Sequence, residues 1–192
     1  MAYIGKQPTA VPLTSSDITD GIIQLADLSA TGTKDATTFL RGDNTFAVAG
    51  GNNTPAFRVY RSSNQTMGNG YQKIQHNAED YDTDNAFDST TNYRFTVPSG
   101  EAGKYFFNAQ HKLNSMPNGV RIGAAIYVNG SIVAHNVIAV GITEDNSSNV
   151  SALLNLSVGD YVEMYGFHNH TAGLTAPGNS NSVYFEGYKL IG

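Results

Sequence analysis

The sequence contains no cysteine and no tryptophan in its 192 residues, and charged side chains make up only 14% of it. Without cysteine the chain forms neither a disulfide nor a thiolate metal site. Acidic residues outnumber basic ones, 16 to 11, and no lysine or arginine cluster occurs, so a nucleic-acid partner is not expected. No stretch approaches the roughly 20 apolar residues of a membrane span, and the first residues lack the basic and apolar regions of a signal peptide. We therefore expect a protein made in a cytoplasm and not inserted in a membrane.

Motifs that indicate catalysis are also missing. The sequence has no Gly-x-Ser-x-Gly elbow, no phosphate-binding loop, no dinucleotide fingerprint and no His-Glu-x-x-His. Its five histidines and many serines could form a triad only through their arrangement in space, which the sequence does not give. We expect a protein that is not an enzyme and has no catalytic residues.

Residues 1–51 are short-period and rich in turns, and a Gly/Asn/Pro linker, Ala49–Ala56, connects them to the rest of the chain. A short helix is predicted at Ile22–Leu28, where an upstream aspartate could cap it. Apolar residues lie between polar turns in the later part of the segment, at Phe39, Leu40 and Phe46. This pattern favours an extended segment that packs on a copy of itself through these three residues.

Residues 52–192 alternate apolar and polar positions, which is the period-2 pattern of half-buried strands. Tyr93, Phe95 and Val97 are predicted to share one core face. The run from Val120 to Val128 ends at Asn129-Gly130, a dipeptide that favours a tight hairpin turn. Many short strands separated by turns predict an all-β sandwich or jelly roll.

Asn92–Gln110, NYRFTVPSGEAGKYFFNAQ, resembles the signature of the C1q/TNF-like superfamily. The matching positions are Phe95, Val97, Pro98, Gly103, Tyr105 and Phe107. Three later pieces follow in the order of that family: AAIYVNGSIVA, LLNLSVGDYVEMYG and SVYFEGYKLIG. The resemblance covers about Phe57–Gly192 and implies a C1q/TNF-like jelly roll that assembles as a tight homotrimer.

The last strand carries a second, aromatic face opposite its core positions. Tyr184, Tyr188 and Leu190 lie on this face, together with Glu186. An aromatic face on a surface strand is typical of an interface, so these residues are the candidates for the trimer contact. The alternative is that the tyrosines are ordinary outer-surface residues.

The segments MAYIGKQPTAVPLTSSDITDGII and TGTKDATTFLRGDNTFA resemble the N-terminal segments of tail-fibre and other appendage proteins of tailed bacteriophages. This resemblance implies a virion protein whose residues 1–51 join other virion proteins and whose head contributes to host adsorption. It makes Phe39, Leu40 and Phe46 the candidates for virion attachment and trimerisation. The expected partner is a glycan or a protein of the bacterial surface. A capsid decoration or fibre protein of the same architecture is one alternative, and a secreted carbohydrate-binding module of the C1q type is another.

Recognition by such a head is expected in exposed loops on a rigid sandwich. Three long segments are rich in Asn, Ser and Gly, which suit hydrogen bonding to glycans and equally suit solvated loops. They are Ser62–Gly70, Asp145–Asn149 and Ala172–Ser182.

The stretch AEDYDTDNAFD spaces its first carboxylates like a calcium loop, at Asp80, Asp82 and Asp84. On the helix-loop-helix template, however, the position that needs glycine is Asn85 and the position that needs glutamate is Thr91. We therefore interpret the stretch as a turn anchored by Tyr81 and Phe87, with calcium as the alternative and no cofactor otherwise expected.

His168 and His170 form the other metal candidate, because alternate residues of a strand point the same way and imidazole suits transition metals. Three chains could bring six such rings together. The family resemblance places this strand in the outer sheet, away from the threefold axis, so a solvated strand end is the favoured interpretation.

Overall fold

The computed structural model describes residues 31–33, 35, 38–48 and 53–191, and the chain divides into two compact units, Met1–Gly51 and Asn52–Gly192. The helix predicted at Ile22–Leu28 lies outside the described residues. In the first unit, β1 (Thr38–Leu40) pairs antiparallel with β2 (Phe46–Val48).

The second unit consists of antiparallel strands in two larger sheets and one small sheet. Its strands are β3 (Ala56–Tyr60), β4 (Gln65–Met67), β5 (Gly70–Lys73), β6 (Ala78–Asp82), β7 (Phe87–Asp88), β8 (Arg94–Thr96), β9 (Gly103–Met116), β10 (Arg121–Val128), β11 (Ser131–Ala139), β12 (Glu144–Leu156), β13 (Tyr161–His168), β14 (Leu174–Ala176) and β15 (Tyr184–Lys189). In the part of the chain that the structure describes, no helix has the length and apolarity needed to cross a membrane.

The five-stranded sheet has the order β12-β9-β15-β3-β6. The six-stranded sheet has the order β11-β10-β13-β8-β7, and β5 also pairs with β13. β14 and β4 form the small third sheet. Each larger sheet turns one apolar face to a shared core and the other to solvent, as antiparallel sheets commonly do.

The predicted alternation sets which side chains enter this core. On β9, Tyr105, Phe107 and Ala109 are fully buried while the residues between them are only partly buried. Phe95 and Val97 are buried as predicted. Tyr93 is a correction, because it has a φ of 52° and precedes β8, so it is not part of that strand face.

The predicted hairpin turn is confirmed at Asn129-Gly130, where the two residues have φ values of 50° and 80°. Positive φ at both positions suits Asn-Gly and joins β10 to β11 with the twist that strands prefer. The Asn129 side chain also donates to Asp160 over 2.8 Å and accepts the Tyr161 N–H over 3.0 Å. The turn is therefore tied to the start of β13.

Aromatic rings fill the centre of the core. Phe57 lies 5.1 Å from both Phe95 and Phe185 and 5.3 Å from Phe87, measured between ring centroids. Rings at such separations attract one another beyond their area burial, and each buried Phe contributes about 2–3 kcal/mol of transfer free energy. These packed rings thus join the two larger sheets through one core.

Three histidines are also buried in this unit: His76, His111 and His168. Burial, reinforced by the charge of Arg61, lowers the pKa of His76 to about 3. Burial lowers the pKa of His111 to about 4, although its Nδ1 lies 3.0 Å from the Gly123 carbonyl oxygen. Both rings are therefore neutral at pH 7.

Candidate functional site

The solvent face of the five-stranded sheet carries side chains in three rows that cross the strands. The strand register aligns Leu153, Phe106, Tyr188 and Ala56 in the first row. It aligns Ser151, Asn108, Glu186, Arg58 and Tyr81 in the second, and Asn149, Gln110, Tyr184, Tyr60 and Ala78 in the third. We call these rows together the five-stranded face.

The first row is apolar and open to solvent. Leu153 is 69% exposed and Tyr188 is 37% exposed. The rings of Phe106 and Tyr188 pack against each other with centroids 5.6 Å apart. A contiguous apolar strip of this kind on a sheet surface is typical of an interaction surface.

The second row is organised by Arg58. Its Nε lies 2.8 Å from the Asp80 carboxylate, and its Nη1 lies 2.8 Å from Glu186 Oε2. Glu186 Oε1 accepts a further hydrogen bond from the Asn108 amide over 2.9 Å. The guanidinium also lies 4.6 Å from the centroid of the Tyr184 ring. The row is thus a connected charged network with fixed geometry.

Leu190 lies next to this face, beyond the end of β15, and its N–H donates to the Lys104 carbonyl over 2.8 Å. It lines a surface recess of about 340 Å³ together with Lys104, Leu153, Leu154 and Asn155. The structure therefore places Tyr184, Tyr188 and Leu190 on one side of the sandwich. Their part in a trimer contact stays a prediction.

β11 is a second unpaired surface. It is the edge strand of the six-stranded sheet and pairs in register with β10, and its nine residues SIVAHNVIA include no Asp, Glu, Lys or Arg. Asn136 also forms hydrogen bonds with Ser148 and Asn149 of β12. Ile132, Val133 and Ile138 are 41%, 45% and 37% exposed. Soluble proteins usually protect an edge strand with charge or proline, so an apolar edge of this length is suited to a partner.

The three attachment candidates of the first unit lie in its hairpin. Phe39 and Leu40 on β1 are each 46% exposed, whereas Phe46 on β2 is only 9% exposed. The turn between the strands is held by Asp43, which accepts hydrogen bonds from the Thr45 N–H and hydroxyl. Attachment and trimerisation through these residues stay a prediction.

The acidic stretch does not assemble its carboxylates around one point. Asp80 pairs with Arg58, Asp82 accepts the Phe87 N–H over 2.8 Å, and Asp84 accepts the Thr83 hydroxyl over 2.6 Å. Within residues 31–33, 35, 38–48 and 53–191, no group of three His, Cys, Asp or Glu residues could hold a metal ion. Phe87 is buried as expected of an anchor, but the expectation for Tyr81 is wrong, since it is 49% exposed.

The two histidines of the other metal candidate do not both lie at a solvated strand end. His168 ends β13 and is fully buried, which corrects the expectation that it is solvated. Its Nε2 lies 2.9 Å from the Met67 carbonyl oxygen, and its Nδ1 accepts the His170 N–H over 3.2 Å. Both ring nitrogens of His168 are therefore engaged within the chain, and His170 Nδ1 lies 3.2 Å from the Ala172 carbonyl oxygen.

Sequence reasoning missed several residues of these surfaces. Phe106 lies between the signature residues Tyr105 and Phe107, so the alternation could have assigned it to the opposite face, and its register partner Leu153 lies on the same face. Asp145–Asn149, interpreted as a loop, belongs to β12, and β4 lies within Ser62–Gly70. Polar composition alone does not separate a loop from an exposed strand.

Comparison with solved structures defines the fold. Eiger TNF from S. frugiperda matches with 13% identity and a TM-score of 0.52, over 70% of this chain and 91% of that chain. Murine APRIL at pH 5.0 matches with 9% identity and a TM-score of 0.55, over 70% of this chain and 98% of that chain. The globular domain of zebrafish complement 1qA matches with 22% identity and a TM-score of 0.48, over 71% and 98% of the two chains.

No protein-family model and no curated protein sequence matches the chain. The all-β architecture of the described residues, with its two antiparallel sheets, is that of the C1q/TNF-like jelly roll. The predicted fold class is confirmed.

Proposed function

We propose that the chain is a non-enzymatic, homotrimeric appendage protein of a tailed-phage virion, a tail fibre in the first instance, whose jelly-roll head takes part in host adsorption. The observation that carries the trimer is the presence of two different unpaired surfaces on one unit: the five-stranded face and the apolar edge strand β11. A closed ring of identical subunits needs two such surfaces, because each copy presents one to each neighbour.

In this assembly the edge of one head packs on the five-stranded face of the next. Leu153, Phe106 and Tyr188 supply an apolar strip, and Ile132, Val133 and Ile138 supply the exposed side chains that would cover it. Burial of apolar area gives the association its driving force. The Arg58 network fixes orientation, since charged groups in an interface select register more than they add affinity.

The virion role is supported by the layout of the chain. The first segment resembles the attachment segments of phage appendages, and its hairpin exposes Phe39 and Leu40 for contact with another chain. In this proposal residues 1–51 join the particle and the head points outward toward a glycan or a protein of the bacterial surface. The alternative role, a capsid decoration protein, requires the same architecture and differs only in the part of the virion that binds the trimer.

Native mass spectrometry of the purified full chain tests the trimer. A mass of three chains, stable on dilution to micromolar concentration, is expected. A monomeric mass under the same conditions would refute the assembly.

Quantitative mass spectrometry of purified particles tests the virion role. A tail fibre is expected in small multiples of three copies per particle, whereas a capsid decoration is expected in tens to hundreds. Detection of the chain only in medium from uninfected cells would reject both virion roles and favour a secreted module.

A further inference from the structure

The solvent face of the six-stranded sheet carries a cluster of aromatic rings. Tyr71 on β5, Tyr127 on β10, and Tyr165 and Phe167 on β13 form this cluster, which we call the platform. The rings of Tyr127 and Tyr165 stack with centroids 4.0 Å apart, and those of Tyr71 and Phe167 lie 4.7 Å apart. Tyr71 meets Tyr127 edge-on at 6.3 Å, so the four rings are continuous.

Small residues beneath the rings leave the space in which the rings of the platform pack. Ala125 is fully buried although it faces the solvent side of the sheet, where Tyr165 is its partner in register. At Gly123 an added Cβ would lie 2.8 Å from Val137 Cγ2 and 3.3 Å from Phe167 Cβ. Larger residues at these positions would displace the rings, which indicates a preformed surface.

The platform is polar at its rim and balanced in charge. The Tyr71 hydroxyl lies 3.2 Å from His135 Nδ1. Lys73 forms an ion pair with Glu163, whose side chain is only 6% exposed, and also donates to the Asn92 carbonyl. Burial raises the pKa of Tyr127 and of Tyr165, so both phenols keep their protons at pH 7 and can donate.

One end of the platform is marked by Arg94, whose guanidinium lies 4.3 Å from the centroid of the Tyr161 ring. Arg94 is paired in register with Asp88, so the cation at this end has one acidic neighbour. Neither a positive patch for a polyanion nor a negative patch for a polycation results.

We infer that the platform is a binding site for a neutral glycan. A pyranose ring has apolar C–H faces and hydroxyl edges, and it suits aromatic rings that are bordered by tyrosine hydroxyls, an imidazole and a neutralised Lys73–Glu163 pair. Charge complementarity selects an uncharged occupant, because an acidic polymer would need unpaired cations.

The inference deepens the proposed adsorption function, on which it rests for the outward position of the platform. The platform and the five-stranded face lie on different sheets, whereas the edge strand β11, whose Ile132 is the register partner of Tyr127, borders the platform. In the proposed trimer the rings on β5 and β13 therefore stay open, and the subunit contact lies beside Tyr127. Three sites on one rigid particle raise avidity without new contacts, which suits a repetitive surface polysaccharide.

The test uses the purified full chain on an array of neutral gluco-, manno-, galacto- and rhamno-oligosaccharides printed beside sialylated and phosphorylated ones. The wild type is expected to bind one or more neutral glycans, and titration calorimetry with the best of them gives the affinity. Tyr127→Ala and Tyr165→Ala are expected to weaken binding at least about tenfold, or about 1.4 kcal/mol.

Tyr127→Phe and Tyr165→Phe keep the rings and remove only the hydroxyls, so they preserve the fold and are expected to weaken binding several-fold at an unchanged melting temperature. Ile142→Ala, at a 61% exposed position outside both faces, is the control and is expected to bind like the wild type.

Three results would overturn the glycan site: no neutral glycan bound by the trimer, a preference for the acidic glycans, or platform variants that bind as the wild type does. None of these results would contradict the proposed trimer. A monomeric mass in native mass spectrometry would contradict the trimer and leave the glycan site untouched.

Discussion

The two solvent faces of the jelly roll are both aromatic, yet they use their polar groups in opposite ways. On the five-stranded face, Arg58 links Asp80 and Glu186, whose side chains remain 41% and 31% exposed. On the six-stranded face, Lys73 covers Glu163, whose side chain is 6% exposed. The first network is open to solvent in the single chain, while the second is already enclosed.

This difference agrees with the two proposed roles, a subunit contact on the five-stranded face and a ligand site on the platform. Leu153 on the five-stranded face is 69% exposed, so a large part of its apolar area is available for burial. The rings of the platform already pack on each other and on Gly123 and Ala125. A preformed surface with little apolar area left to bury suits a small polar ligand better than a subunit contact.

Leu153→Asp is expected to give the largest effect, because it places an unpaired carboxylate in the proposed subunit contact. Such a group costs about 3 kcal/mol or more when buried, which corresponds to roughly a hundredfold weaker association. Size-exclusion chromatography with light scattering should show a trimer for the wild type and a monomer for the variant at micromolar concentration.

The matched control is Val158→Asp, since Val158 is 52% exposed and lies in the turn between β12 and β13. It should remain trimeric. If Leu153→Asp were also trimeric at the same concentration, the five-stranded face would not be the contact.

Lys73→Met and Arg58→Met compare the two polar networks directly. Lys73→Met leaves the buried Glu163 without its cation and should lower the free energy of unfolding by about 3 kcal/mol. Arg58→Met should cost only about 1 kcal/mol, because Asp80 and Glu186 remain partly hydrated in the single chain. Urea unfolding in the Leu153→Asp background measures both without a contribution from assembly.

A Lys73→Met/Glu163→Gln double variant serves as the control for the buried pair, since removing both charges should restore part of the stability. Equal losses for the two single variants would contradict the proposed contrast between an enclosed and an open network.

Much of the fold could be predicted from the sequence because strand alternation is a local signal. Tyr105, Phe107 and Ala109 follow one another at period 2, and all three are buried on β9. The Asn129-Gly130 turn is equally local, since the two residues that need positive φ are neighbours. Where one face of a strand is buried, the sequence carries its register.

The surfaces were harder to predict because they join residues that are far apart in the chain. Arg58 and Glu186 are separated by 128 residues, and Lys73 and Glu163 by 90. No short motif contains both members of either pair. The segment Asp145–Asn149 misled for a related reason, because an edge strand pairs through its backbone and can keep polar side chains exposed.

Acid should unfold the two larger sheets together, because the core that they share contains His76 and His111. In the unfolded chain a histidine takes up a proton near pH 6.5, whereas in the folded chain these two stay neutral down to about pH 3 and 4. The unfolded state therefore binds more protons in this window, so stability is full above pH 6.5 and falls as the pH decreases. Each histidine contributes a slope of up to about 1.4 kcal/mol per pH unit.

His76→Phe tests whether the buried histidines cause the loss of stability in acid, and at neutral pH it is expected to change the free energy of unfolding least among these variants. Neither ring nitrogen of His76 has a hydrogen-bond partner within the described chain, and the ring lies 6.1 Å from that of Phe185, so a phenyl ring suits the site. The variant should be at least as stable as the wild type at pH 7 and should lose stability less steeply between pH 6.5 and 4. His135→Phe, at an exposed position, is the control and should keep the wild-type slope. Urea unfolding at several pH values measures the slopes, and an unchanged slope in His76→Phe would assign the acid sensitivity to other groups.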